Sequence, residues 1–121
     1  MKIEECYEQM GADYGEVLGR LRSAALIQKF VLLFPNDPTY QELKQAIESQ
    51  NGDDAFRAAH TLKGVCQNLG FDNLYRVSAE LTEILRDKSL EGSEEKVREV
   101  DEEYQKTIDA IEAFAAETPD C

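Results

Sequence analysis

The sequence DAFRAAHTLKGVCQNL at residues 54–69 decides the fold of this chain. At 100° per residue, its apolar side chains fall on one side of a helix: Ala55, Ala58, Leu62, Val65, Cys66 and Leu69. The other side carries the only histidine of the chain and four neighbours: His60, Phe56, Lys63, Gly64 and Gln67. Because an apolar stripe of this kind packs into a core, the pattern predicts an outward-facing imidazole.

Gly64 is an unusual residue for this position. A glycine inside a helix costs roughly 1 kcal/mol relative to alanine, and on the outward side core packing does not require it. The missing side chain leaves space for a large group to approach His60. Lys63, three residues after His60, can reach an anion attached to the ring. We interpret the histidine, the cation and the open approach as a site where the ring accepts a phosphoryl group and hands it on.

Four residues of this helix and its C-terminal end match the signature of a known family. The sequence AHTLKG at residues 59–64, followed by NLG at residues 68–70, resembles the signature of the histidine-containing phosphotransfer (HPt) domain. That signature is a histidine, then a lysine and a glycine three and four residues later, and a glycine ten residues after the histidine. All four positions match: His60, Lys63, Gly64 and Gly70. The resemblance covers about residues 13–114.

The resemblance implies a role in a multistep two-component phosphorelay. His60 would receive a phosphoryl group from the aspartate of one receiver domain and pass it to another, and Lys63 would offset the charge on the phosphorylated ring. The expected partners are response-regulator receiver domains, with a hybrid sensor histidine kinase as a further candidate. The chain would be a phosphotransfer intermediate and not an enzyme, because it has no glycine-rich loop that could cradle ATP for an autokinase reaction.

Three further residues near His60 are candidates for binding the phosphoryl group or the partner. Gln67 lies nearly above His60 two turns on and can donate an amide hydrogen bond, although glutamine is also common on helix surfaces. Phe56 is either a docking pad for the partner or an aromatic ring that packs on the neighbouring helix. Arg57 either steers an acidic partner surface or is an ordinary solvated charge.

The composition limits the classes of partner. The 121 residues suit one domain, and 25 acidic against 13 basic residues give a net charge of −12. Such a chain is repelled by nucleic acid and by anionic membranes, so we expect neither as a partner. No apolar run is long enough to span a bilayer, and no metal or cofactor is expected. The three cysteines (6, 66 and 121) indicate reduced thiols in a cytoplasmic protein, and nothing requires more than a monomer.

Apolar residues at helical spacing continue along the chain and predict an all-α fold. The core should be an antiparallel four-helix bundle of segments 38–50 (extended by 23–34), 54–69, 72–87 and 93–116, with short N-terminal helices covering one end. We expect a single domain over residues 1–121, with its core at about 13–116 and a frayed tail at 117–121. Residues 24–34 are apolar nearly all round and should be among the most buried.

The helix ends carry recognisable signals. The expected N-terminal caps are Asp13, Ser23, Asp37, Asp53 and Ser93. Gly70 should end the central helix, because glycine adopts the backbone conformation that follows a helix C-terminus.

Two other functions compete with the phosphorelay. One is a helical adaptor that binds a signalling partner through the face of Phe56, His60 and Lys63 without carrying phosphate; the Lys63-Gly64 pair counts against it, because an adaptor needs no clear space beside a histidine. The other is the phosphoacceptor domain of a chemotaxis-type kinase, whose catalytic domain would lie in the same polypeptide. The initial methionine and the end of the chain shortly after its last helix favour a stand-alone protein.

Overall fold

A computed structural model describes residues 1–117 of the chain. The helices are α1 (Ile3–Gln9), α2 (Tyr14–Leu21), α3 (Ala24–Leu33), α4 (Thr39–Glu48), α5 (Gly52–Leu69), α6 (Asp72–Ile84) and α7 (Glu94–Ala116), with a 3₁₀ turn at Phe34–Asn36. No β-strand occurs in residues 1–117, which confirms the all-α prediction. The tail expected to fray lies, from residue 118 onward, outside the described residues, as does Cys121.

Helices α4 to α7 form the predicted antiparallel four-helix bundle. α5 packs between α4 and α6, and α6 packs against α7. α7 also contacts α4, because Tyr40 stacks on Tyr104 with the ring centroids 3.7 Å apart and Lys44 Nζ lies 2.7 Å from Asp101 Oδ2. Short connections join consecutive helices, which therefore run in opposite directions.

An aromatic cluster joins the N-terminal helices to one end of the bundle. Phe71, in the turn after α5, is fully buried, and its ring centroid lies 5.1 Å from that of Phe34 and 5.8 Å from that of Tyr7. Phe34 also contacts Tyr104 of α7, at 5.9 Å. The rings thus connect α1, the 3₁₀ turn and α7 around the C-terminal end of α5, which is the end that the N-terminal helices cover.

The C-terminal end of α5 is held by contacts from α1 and α2. Gly70 ends the helix as predicted, with a φ of +71°, and a Cβ built there would overlap Cγ2 of Val17. The last carbonyl groups of a helix lack partners within it. Tyr7 donates its hydroxyl to the Leu69 oxygen at 2.7 Å, and Arg20 donates to the oxygens of the two preceding residues at 2.9 and 2.8 Å.

The N-terminal end of α5 differs from the prediction. The cap is Asn51 and not Asp53: Asn51 Oδ1 accepts a hydrogen bond from the Asp54 amide at 3.0 Å, so the helix begins at Gly52. Asp53 lies inside the first turn, where a carboxylate favours the positive end of the helix dipole. A Cβ at Gly52 would overlap the main-chain oxygen of Lys88, so the loop after α6 packs directly on the start of α5.

The other predicted caps have mixed outcomes. Asp13 and Ser23 cap α2 and α3 through side-chain oxygens that accept from the amides of the third residue on. Asp37 Oδ1 accepts from the Thr39 amide at 2.8 Å, but the residue at the cap position of α4 is Pro38. Ser93 precedes α7 as predicted, yet its hydroxyl donates to the Leu90 oxygen and caps no amide of the helix.

The prediction that residues 24–34 are among the most buried is wrong for half of the segment. Ile27 and Val31 of α3 are fully buried, but Leu26 is 38% exposed and Leu33 is 52% exposed. The reason is that α3 packs on α2, α5 and α7, and these contacts leave Leu26 and Leu33 exposed among residues 1–117. None of the described helices combines the length and hydrophobicity needed to cross a bilayer.

Candidate functional site

His60 lies near the middle of α5, and its side chain is exposed. The buried residues of this helix are on the opposite side: Ala55, Ala58, Ala59, Leu62, Cys66 and Leu69. The helix therefore has the orientation that its apolar stripe predicts. The His60 ring has one aromatic neighbour in the described residues, Phe56 one turn earlier, with the centroids 6.1 Å apart and the planes tilted by 40°.

The surface beside His60 is open at Gly64. A Cβ built on Gly64 meets no heavy atom within 4 Å, so no neighbouring group in residues 1–117 requires a glycine at this position. On the other flank, Lys63 is half-buried. Within the described part of the chain no carboxylate lies within ion-pair distance of Lys63.

Phe56 is half-buried, and two cations lie over its ring. The guanidinium carbon of Arg86 is 5.5 Å from the ring centroid, and the Lys88 ammonium is 5.1 Å from it. Contacts of this kind are worth about 0.5–1 kcal/mol at exposed sites. Phe56 thus packs against the end of α6 and the following loop, as one of the two sequence interpretations held, and it also borders the His60 ring.

Arg57 and Gln67 occupy the two ends of the exposed face. Arg57 Nη2 lies 2.9 Å from Asp53 Oδ2, and Lys88 Nζ lies 3.4 Å from the other oxygen of the same carboxylate. Arg57 is therefore engaged in an exposed ion pair. Gln67 is exposed, its main-chain oxygen accepts from Arg20, and its amide side chain has no hydrogen bond to any residue that the structure describes.

A bidentate ion pair on α6 and its C-terminal turn lies next to this face. Arg86 Nε donates to Glu83 Oε1 at 3.0 Å and Arg86 Nη2 donates to Glu83 Oε2 at 2.6 Å. These hydrogen bonds lower the pKa of Glu83 below its usual range, and the nearby charges of Arg86, Lys63 and His60 add to that effect. Through Arg86, Glu83 is linked to the Phe56 ring that borders His60.

The sequence interpretation missed Glu83, Arg86 and Lys88, although a signal for them exists. α5 and α6 form an antiparallel pair that reverses at Gly70 and Phe71. A residue ten positions before the reversal should lie beside residues about ten positions after it. Counting across the turn in this way places His60 beside the last turn of α6, close to Glu83 and the residues that follow it, a relation that neither helix indicates by itself.

The site brings together an exposed imidazole, a cation that has no ion pair in residues 1–117, and open space on one helix. His60, Lys63, Gly64, Gln67 and Phe56 share one face of α5, as predicted, while Arg57 lies at its edge in an ion pair. Across residues 1–117, no three His, Cys, Asp or Glu side chains cluster closely enough to hold a metal ion.

Comparison with protein families identifies one match. The family model described as Hpt domain matches residues 32–114, which is more than two thirds of the chain and includes α4 to α6 and most of α7. The match begins near the end of α3, so that α1 and α2 lie outside it. Comparisons with curated proteins and with solved structures found no match.

Proposed function

Because this chain belongs to the Hpt domain family, whose members transfer phosphoryl groups through a histidine in two-component phosphorelays, we propose that His60 is the phosphoacceptor. The observation that supports this proposal most directly is the exposure of His60 on a helix that also carries the open Gly64 and Lys63, which has no ion pair in residues 1–117. His60 is also the only histidine in the sequence. The phosphoryl group would come from the aspartate of one receiver domain and leave to the aspartate of another.

The proposed transfer is a single displacement at phosphorus. The lone pair of a His60 ring nitrogen forms the N–P bond, and the P–O bond to the receiver aspartate breaks, so that the carboxylate leaves with its electron pair. The second ring nitrogen keeps its proton or releases it to water. The reverse displacement, by a second aspartate, returns the ring to its starting state. Such transfer depends on positioning and on neutralisation of charge more than on covalent help from the protein.

The neighbours of His60 have distinct proposed roles. Lys63 offsets part of the roughly −2 charge of the phosphoryl group, and Gly64 leaves the approach clear for the receiver. Gln67 donates an amide hydrogen bond to a phosphoryl oxygen or to the receiver. Phe56 and Arg57 contact the receiver at the edge of the site. The chain itself neither binds ATP nor phosphorylates itself, and a divalent cation used in the step belongs to the receiver.

The proposed partners are receiver domains of response regulators and of a hybrid sensor histidine kinase. We place the relay in the cytoplasm, which is consistent with unpaired thiols at Cys6 and Cys66, because a reducing compartment keeps thiols free. We propose that the chain acts as a monomer, and light scattering at the concentration used for transfer assays tests this.

The test of the function is to incubate the protein with a phosphorylated receiver domain and to locate the phosphate. We expect acid-labile, base-stable phosphate on the imidazole of His60, seen by ³¹P NMR and by mass spectrometry, and none on His60→Gln. Equal labelling of the wild type and His60→Gln would overturn the assignment. Partner binding that survives His60→Ala, with no phosphohistidine in the wild type, would instead identify a helical adaptor.

A further inference from the structure

Arg86 has two different contacts that together place it between a carboxylate and the candidate site. Its guanidinium forms two hydrogen bonds with Glu83, and the same group lies 5.5 Å from the centre of the Phe56 ring. Phe56 in turn contacts the His60 ring. The guanidinium and the imidazole therefore both border the same aromatic ring.

The cations around the Phe56 ring have different ion-pair partners. Arg57 and Lys88 share the carboxylate of Asp53, which lies on the first turn of α5. Arg86 has only Glu83 as an ion-pair partner in the described residues, and both members of that pair are more than half exposed. An exposed pair of this kind is worth at most about 1 kcal/mol, so a stronger anion nearby can replace Glu83.

A phosphoryl group on His60 would be such an anion. It carries roughly two negative charges and three acceptor oxygens, and a guanidinium binds phosphate through the same two-pronged geometry that it uses for carboxylate. Glu83 would at the same time repel the phosphoryl group, because the Arg86 guanidinium that binds its carboxylate lies over the Phe56 ring, which borders His60. Arg86 would therefore attract the phosphoryl group, and Glu83 would repel it.

We propose that Glu83 and Arg86 form an exchangeable pair that sets how much of the phosphoryl group remains on His60 at equilibrium. Arg86 binds Glu83 in the unphosphorylated protein and turns over the Phe56 ring to the phosphoryl oxygens once His60 is phosphorylated. Glu83, left without its partner, opposes retention and favours onward transfer. This inference rests on the proposed function. In it Glu83 competes with the phosphoryl group for Arg86.

The chain offers a matched control for this pair. Glu95 and Arg98 form an exposed Arg–Glu pair at the same three-residue spacing, but they lie on α7, which packs against α6 and not on the His60 face of α5. Glu95→Gln and Arg98→Gln change the net charge by the same amount as Glu83→Gln and Arg86→Gln. The comparison therefore separates a local effect from the general effect of one charge.

The experiment measures the equilibrium constant for transfer between a receiver domain and His60 in each variant. We expect Glu83→Gln to raise the phosphorylated fraction of His60, and Arg86→Gln to lower it, by about two- to fivefold in the constant. Arg86→Lys should restore part of the loss. Glu95→Gln and Arg98→Gln should leave the constant unchanged. Melting temperatures measured in parallel identify any variant whose fold is disturbed.

A second readout uses the wild type alone and needs no receiver. Phosphoramidate phosphorylates exposed histidines directly, and the ¹⁵N resonance of Arg86 Nε should shift on phosphorylation while that of Arg98 does not. If Glu83→Gln and Glu95→Gln have the same constant and Arg86 Nε does not shift, the exchangeable pair is wrong. If instead no phosphate reaches His60 of the wild type from either donor, it is the proposed function that fails.

Discussion

Arg20 donates a hydrogen bond to the main-chain oxygen of Gln67 at 2.9 Å, across 47 positions of the chain. The same guanidinium nitrogen donates to the next oxygen, that of Asn68, at 2.8 Å. A cation at this place satisfies carbonyl groups that the helix leaves unpaired and favours the negative end of its dipole. Arg20 thus fastens the short helix α2 to the end of the helix that carries His60.

Replacement of Arg20 should therefore destabilise the fold. We expect Arg20→Ala to lower the free energy of unfolding by about 1–2 kcal/mol, since it removes hydrogen bonds from a charged donor at a helix C-terminus. Urea unfolding followed by circular dichroism measures the change. Lys29→Ala, at an exposed position of α3 with no ion pair in the described residues, is the matched control and should change stability by less than about 0.5 kcal/mol. Equal losses for both variants would contradict the anchoring role.

A side chain at position 64 should slow phosphoryl transfer without lowering the stability of the fold. Gly64→Gln should preserve the free energy of unfolding or raise it by up to about 1 kcal/mol, because a Cβ there meets no neighbouring atom. The same change should slow transfer by roughly tenfold or more, because it displaces the receiver from His60. Gly19 of α2 is also a helical glycine with nothing around its Cβ position. Gly19→Gln should give the gain in stability without the loss of rate, and an unchanged rate in Gly64→Gln would refute the open approach.

Neutralisation of Lys63 should affect the phosphorylated state and not the fold. Lys63→Gln removes a charge that has no ion-pair partner in the described residues, so its melting temperature should match that of the wild type. The phosphorylated protein should lose its phosphoryl group several times faster, or accept it several times more slowly, and Lys63→Arg should recover most of the activity. Lifetimes of the phosphohistidine, followed by ³¹P NMR, test the prediction. A variant that melts earlier but transfers normally would assign Lys63 a structural role.

The two sides of α3 should respond differently to substitution. Ile27→Ala should cost about 2–5 kcal/mol, since it empties space in the core, whereas Leu33→Gln should cost less than about 0.5 kcal/mol, since Leu33 is already half exposed. Urea unfolding of both variants decides the matter. A large loss in Leu33→Gln would mean that the outer side of α3 is covered by something beyond residues 1–117.

Alkaline pH should weaken the fold through its buried thiols. Burial raises the pKa of Cys6 from 9.0 to about 11 and raises that of Cys66 as well. Above pH 9 the unfolded chain releases protons that the folded chain keeps, so stability falls as the pH rises from 9 toward 11, by up to about 1.4 kcal/mol per pH unit for each thiol. Cys6→Ala should show a shallower fall in urea unfolding measured across this range. Parallel slopes for Cys6→Ala and the wild type would show that Cys6 does not contribute.

The central helix and its orientation could be predicted from the sequence because one stripe of residues determines both. Leu62 and Cys66 have to enter a core, and that requirement turns His60 outward whatever the rest of the chain does. Gly70 was equally predictable, because few residues other than glycine adopt its backbone conformation. These are local rules that need no knowledge of neighbouring elements.

The incorrect predictions have two causes. Some depend on contacts between elements that are distant in sequence, and one depends on a choice between two neighbouring cap residues. Asn51 and Asp53 are both good caps, and the close approach of Gly52 to the Lys88 oxygen selects the earlier start. The outer side of α3 stays exposed because burial depends on what packs there and not on hydrophobicity alone. Arg86 reaches the candidate site only because α6 returns beside α5, which neither helix encodes by itself.

Contacts hold α5 at both ends, and this affects how a partner can bind to the helix. Asn51 and Gly52 tie one end to the loop after α6, and Arg20, Val17 and Tyr7 tie the other to the N-terminal helices. A helix fixed in this way presents a preformed binding surface. The chain therefore loses little conformational entropy when a partner binds. Any conformational change on binding therefore occurs in the partner. Partners with flexible loops around their reactive carboxylate should bind better than partners with rigid loops.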